Sequence, residues 1–246
     1  MAGLSVSVIL LLVVFDEFYT PFNMKIFVVY SILIGFIATT ANAQAPVSPQ
    51  KEITLSYIQQ HYSDTSYTNK TMDSTFLWQI RGVMLYYPKL AHTHIKFRLK
   101  DTPVPLTARP RIWAIFQRPK HRKYYITIST KTLPKFEPLL LQNLSFNAQV
   151  GVIGHEMSHI ADFQQRHGLY FIKLAFMHIS KRYMDNFENK TDRRCIQHGL
   201  GYQLLSWSNE VRKGLKIEQW EGIKGDGKAK RERYMSPESI QKWIDY

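Results

Sequence analysis

The chain has 246 residues, 45% of them hydrophobic and 21% charged, the balance of a globular protein rather than a disordered or fibrous one. Its formal charge of +13 would suit nucleic acid or an anionic surface, but the cations are dispersed rather than striped, so a solvated basic surface is expected. The single cysteine, Cys195, excludes an intramolecular disulfide and a cysteine-rich zinc ribbon, so any metal must be held by histidine and carboxylate.

Two apolar runs open the chain, Val6 to Phe15 and, after Met24-Lys25, Ile26 to Ala38. Neither supplies the ~20 apolar residues that a spanning helix needs. The second has a positive residue, an apolar stretch and then Ala41-Asn42-Ala43, the pattern of a secretory signal with an A-x-A cleavage site. Residues 24–43 are therefore expected to be a signal peptide, residues 1–23 an upstream over-extension of the reading frame, and the product exported, to a periplasm or the exterior. An uncleaved membrane anchor is the alternative. Export argues against a nucleic-acid partner and leaves an anionic envelope surface as one that the charge would suit. Roughly 200 residues remain, enough for one domain with its own core.

Residues 44–74 read as a linker, with Pro46 and Pro49, followed by a polar segment with weak helical character at its start. Asp73 or Ser74 is suited to cap a helix from Thr75 to Tyr87, whose Phe76, Leu77, Ile80, Met84 and Leu85 share one side and which Pro88 ends. From His92 the period changes to two. His94 to Leu99, Ile112 to Phe116 and Tyr124 to Ser129 read as three strands, the last two joined as a hairpin through a basic turn at Gln117 to Lys123. His92 and His94 share a strand face, the spacing of solvated strand histidines more often than of ligands.

Ser145 or Asn147 then caps a helix running to about Arg166, with Gly168 as its stop. This helix carries His155-Glu156-Met157-Ser158-His159, an H-E-x-x-H pattern. Positions i and i+4 lie one above the other on a helix, so His155 and His159 offer two imidazoles to one ion, with Glu156 beside it as a general base. Val150, Val152, Ile153, Met157 and Ile160 surround the motif, which predicts a buried helix, and buried polar groups of this kind are costly unless paired or metal-bound. A further helical stretch is expected over Leu169 to Met184.

Asn186 to Val211 has helical spacing and places Glu188 and Asp192 four apart on one face. Two such carboxylates repel unless a cation or donor relieves them. A third metal ligand and an outer carboxylate bonded to a ligand histidine would meet that need. Asp162, seven residues after His155 on the same helical face, is an alternative ligand, though three ligands along one straight helix converge poorly. Residues 216–246 read as a basic loop followed by a short helix that starts at Ser236-Pro237-Glu238 and ends near Asp245.

With its H-E-x-x-H helix followed by Glu188-x-x-x-Asp192, the chain resembles the gluzincin branch of zinc metallopeptidases, the thermolysin-like and Ste24/HtpX-type group, over roughly Thr75 to Trp207. The resemblance implies an α+β, zincin-like domain over residues 75–215, with a small sheet packed on the motif helix and a second helix bearing the glutamate. It implies one Zn(II) per chain on His155, His159 and Glu188, with Glu156 as the base, Asp192 behind a ligand histidine, and a peptide or protein substrate. In that family a His or Tyr often stabilises the transition state, and His167, His198 and Tyr202 are the candidates. The metzincin extension is absent, because Asp162 and Gln165 stand where its glycine and histidine would be.

Overall fold

The computed structural model describes residues 47–72, 74–217 and 232–246. The expected signal peptide, residues 24–43, the upstream residues 1–23, the Asp73 cap and nearly all of the basic loop lie outside these residues. The described residues belong to one compact unit, Ala43–Tyr246.

Among them are seven α-helices and a mixed sheet of four strands. In chain order these are α1 (Leu55–His61), β1 (Lys70–Thr71), α2 (Leu77–Met84), β2 (His94–Leu99), β3 (Leu106–Pro110), β4 (Lys123–Ile128), α3 (Phe146–Phe163), α4 (Gly168–Met177), α5 (Lys181–Cys195), α6 (Gly201–Leu215) and α7 (Pro237–Ile244). The sheet order is β1-β2-β4-β3, with β1, β2 and β4 parallel and β3 antiparallel to β4. The period-two pattern of β2 and β4 is realised as expected. Ile95, Phe97, Tyr124, Ile126 and Ile128 face the core, while Lys96 and Lys123 face solvent.

The hairpin differs from expectation. The partner of β4 is Leu106–Pro110, whereas Ile112 to Phe116, expected as a strand, forms a 3₁₀ turn inside the connection. The ladder ends where Arg111 N–H donates to the Lys123 carbonyl at 2.8 Å, and the chain leaves the sheet just beyond Pro110. Residues 47–72 also differ from a linker. Ile53 and Ile58 are core residues, and β1 adds an edge strand against β2. Nor does Ser74 cap α2, whose first turn follows a 3₁₀ segment with Phe76 at the cap position.

Ser145 caps α3 as expected, its hydroxyl accepting from Ala148 N–H at 3.3 Å, and Glu210 from α6 accepts from Ser145 N–H at 2.9 Å. Nearly all of α3 is buried, packed between α2, α5, α6 and the edge strand β3. The close crossing of α3 and α6 depends on Gly151, where an added Cβ would meet the Gln203 carbonyl oxygen at 2.1 Å. Two helix boundaries are corrected. Gly168 does not stop α3, which ends at Phe163, but begins α4. Leu169 to Met184 is two helices, divided where Ser180 caps α5. The helical spacing from Asn186 to Val211 is likewise interrupted by a π turn at Ile196–Leu200, where Gly199 has φ 95°, a conformation that glycine adopts without penalty. The last helix begins at Pro237 with Ser236 as its cap, as its sequence predicts, and Ile240 docks it on the core.

Candidate metal centre

The site is built where α3 meets α5. Fixed by the packing of α3, His155, Glu156 and His159 are 2%, 8% and 7% exposed, and their potential ligand atoms all lie within 4.8 Å of one another. This buried group could hold a metal ion. From α5, Glu188 Oε2 lies 3.1 Å from His155 Nε2 and 3.4 Å from His159 Nε2, so one carboxylate oxygen faces both imidazoles. Asp192, one turn on, lies behind His155, its Oδ1 2.8 Å from Nδ1.

The outer contacts set which nitrogen of each ring faces inward. Nδ1 of His155 donates to the Asp192 carboxylate. Asp192 Oδ2 accepts from the backbone N–H of Met235 at 2.8 Å, which fixes the carboxylate from its other side. His159 is oriented by Thr191, a residue the sequence did not single out. The Thr191 hydroxyl donates to the Phe187 carbonyl at 3.0 Å, and its oxygen lies 3.3 Å from His159 Nδ1, placed to accept that N–H. In the neutral form that a metal would bind, each ring then has its lone pair on Nε2, the atom facing Glu188.

The electrostatics follow from these contacts. Burial works against a charge on His155, but the hydrogen bonds to Asp192 and Glu188 outweigh it and raise the imidazole well above its usual range. Burial likewise pushes Glu188 upward, and the histidines, His159 foremost, overcome it and hold the carboxyl far below the usual range. Glu156 goes the other way. Burial raises it, and Glu188 adds to that, against the opposing pull of both histidines and of a hydrogen bond from the Ala108 backbone.

That backbone contact places Glu156 against β3. In the antiparallel ladder, the bonds Ser129 N–H to Pro105 O and Arg111 N–H to Lys123 O set the alternation, so residues 105, 107, 109 and 111 pair toward β4. The amides of Leu106 and Ala108 therefore point to the free edge of the sheet, beside the site. The cleft between this edge and α3 has a volume of about 190 Å³ and is lined by Leu106, Leu139, Val152 and Trp207, with His155, Glu156 and Tyr234 at its polar end.

Tyr234, also at this end of the cleft, has no signal in the residues around it. Residues Glu232 to Met235 are strapped across α5 and α6. Asn189 donates to the carbonyls of Glu232 and Arg233, Arg212 pairs with Glu232, and the Ser208 hydroxyl donates to the Met235 carbonyl. The strap holds the Tyr234 ring 5.6 Å from that of His155 and 5.4 Å from Trp207. Burial, with Glu188 and Glu156 nearby, raises its phenol well above the usual range.

The remaining candidates lie elsewhere. His198 bonds the Tyr86 carbonyl at 2.9 Å and stacks on Tyr87, Tyr202 lines a second cavity with Trp243 and Tyr246, and His167 is the residue before α4. Asp162, the alternative ligand, is instead ion-paired with Arg166 and Arg194, each at 2.8 Å. His92 bonds Thr68, and His94 is a solvated strand residue. A scan of protein-family models and searches of curated proteins and of solved structures returned no match to this chain.

Proposed function

We propose that the protein is a zinc-dependent peptide hydrolase of gluzincin type, with His155, His159 and Glu188 as ligands and Glu156 as general base. The observation that carries this reading is the position of Glu188 Oε2, 3.1 and 3.4 Å from the two Nε2 atoms. Ligands about 2.0 to 2.1 Å from a tetrahedral zinc are about 3.3 Å apart, close to the two separations between Glu188 Oε2 and the imidazoles, which supports the reading. The donor set of two imidazoles, their outer N–H groups engaged, and one carboxylate suits a catalytic zinc that keeps a fourth position for water. Bound zinc would bring the pKa of that water to about 7 and polarise a carbonyl.

The chain's own residues supply the rest. Glu156, aimed by the Ala108 N–H, accepts the proton of the attacking water and passes it to the leaving amine. The outward amide of Leu106 and the outward carbonyls of Leu106 and Ala108 add an extended peptide as a further strand, which carries its scissile bond past Glu156. The cleft walls of Leu106, Leu139, Val152 and Trp207 receive an apolar side chain next to that bond. Tyr234 directs its phenol toward the oxygen that becomes negatively charged. Export to a periplasm or the exterior is part of the same reading and rests on the leader pattern in residues 24–43. Among the described residues no helix is long and apolar enough to cross a membrane.

The test is Glu156→Gln. Assayed on an unfolded protein such as casein, the variant should keep the parent's metal and lose its turnover. Turnover at the parental rate would refute the assignment of Glu156, and absence of turnover in a zinc-loaded parent on any unfolded substrate would favour a metal-holding scaffold.

A further inference from the structure

Beyond the C-terminal end of α3, the described residues display large apolar side chains that they do not cover among themselves. The helix α4 is apolar on two sides. Phe171 and Leu174 are buried, while Leu169, Phe176 and Ile179 are 77%, 68% and 75% exposed. With Ile172 they recur at i, i+3, i+7 and i+10, one outward stripe extending just beyond the helix end. A helix that is apolar all round is usually one covered all round. Beside it, the 3₁₀ turn in the β3–β4 connection exposes Trp113 (55%) and Phe116 (70%). The two elements touch where Gly168 approaches the Ile115 carbonyl, closely enough that an added Cβ would sit 2.6 Å from its oxygen.

This display is rigidly mounted. Arg122, 2% exposed, lies between the turn and the end of α3, donating to the carbonyls of Gln117, Phe163 and Arg166, with its guanidinium 5.1 Å from the Phe171 ring. The surrounding charge has one sign. Between Asp101 and Glu137 the chain has no acidic residue, while Arg111, Arg118, Lys120 and Lys123 are exposed there and Lys173 is exposed on α4. The nearby carboxylate of Asp162 is buried and neutralised by two arginines.

We infer that this face seats the protein on an anionic lipid bilayer, with Trp113, Phe116, Leu169 and Phe176 entering the interfacial region and the cations meeting lipid phosphates. Aromatic anchors within a rim of Lys and Arg are suited to that boundary, where apolar and charged groups are satisfied together. The alternatives satisfy only half of the surface. A second copy of the chain would cover the apolar stripe but bring two cationic rims together, and a soluble polyanion would neutralise the rim but leave Phe176 and Ile179 in water. The inference is independent of the peptidase reading, since it uses none of the site residues.

The experiment follows Trp113 itself, so that any other lipid-binding segment of the full chain does not confuse it. The Trp113 emission, taken as the difference between the parent and Trp113→Phe, is measured on phosphatidylcholine vesicles with and without phosphatidylglycerol, using brominated acyl chains as the quencher. The expected result is a blue shift and quenching on the anionic vesicles. The double variant Phe116→Ser/Phe176→Ser, altered only at exposed positions, should bind these vesicles at least tenfold more weakly, and so should the parent on pure phosphatidylcholine, roughly the scale expected when several basic side chains lose their anionic lipid. Trp113 emission unchanged while the chain floats with the vesicles would overturn the inference, because another segment would then be the anchor. So would a Trp113 blue shift that appears without lipid and grows with protein concentration, which would identify a dimer face.

Discussion

The two helices that form the centre, α3 and α5, reach it by opposite routes. In α3 almost every residue is buried, so the polar His155, Glu156, Ser158 and His159 stand in apolar surroundings and each must find a partner. In α5 only one stripe is buried, and that stripe consists largely of polar groups, Asp185, Glu188, Thr191 and Asp192, with Lys181, Arg182 and Lys190 outside. One helix is placed by its hydrophobic packing and carries its site groups as exceptions. The other is an otherwise solvated helix held by what its inward polar groups bind. The difference shows where substitutions should cost chemistry and where they should cost stability.

The largest effect is expected at Glu156, the proposed base. Glu156→Gln keeps the shape of the side chain and the packing of α3, and turnover should fall by about 10²- to 10⁴-fold with metal content unchanged. Next comes Ile153→Ala on the packed side of α3, where Ile153 is fully buried. Urea unfolding should show a loss of about 2–5 kcal/mol, and a smaller loss would mean that the packing of α3 is looser than its burial implies. On α5 the corresponding change is Asp192→Asn. It turns the carboxylate into an amide, whose single oxygen cannot accept from both His155 Nδ1 and the Met235 N–H, and should weaken metal binding about 10- to 100-fold, read by competition with a chelating dye, with the fold retained. Smallest of all, Lys190→Ala on the solvated side of α5 should change stability by less than about 0.5 kcal/mol. A loss there as large as that of Ile153→Ala would erase the contrast between the helices.

Much of this arrangement is legible in the residues. The Ser145 cap, the apolar setting of the motif and the i, i+4 pair of histidines follow from helix geometry, as does the shared face of Glu188 and Asp192. The β2 and β4 strands are legible because β2 opens with alternating residues and β4 is rich in β-branched and aromatic ones. What is missed depends on tertiary contact. Leu106–Pro110 is short and ends in proline, a weak strand signal, and becomes a strand because β4 offers it a ladder, whereas Ile112 to Phe116, an unbroken apolar run, has no strand beside it once the ladder has ended at Arg111. Thr191 orients His159 only because α5 lies at the right height against α3. Tyr234 is further from any local signal. Its place at the cleft is set by Asn189, Ser208 and Arg212 binding the backbone and side chains around it, and no spacing in the sequence records those bonds.

The most direct test of the account is metal content, measured by elemental analysis on the full chain beside His155→Ala and Glu188→Ala, after equilibration with zinc and removal of the excess. The account predicts one zinc per chain in the parent and none retained in either variant. Zinc retained by Glu188→Ala at the parental level would show that α5 does not complete the site. A parent that takes up no metal would contradict the central claim and leave the buried cluster of His155, His159 and Glu188 as an ion-paired network within the core.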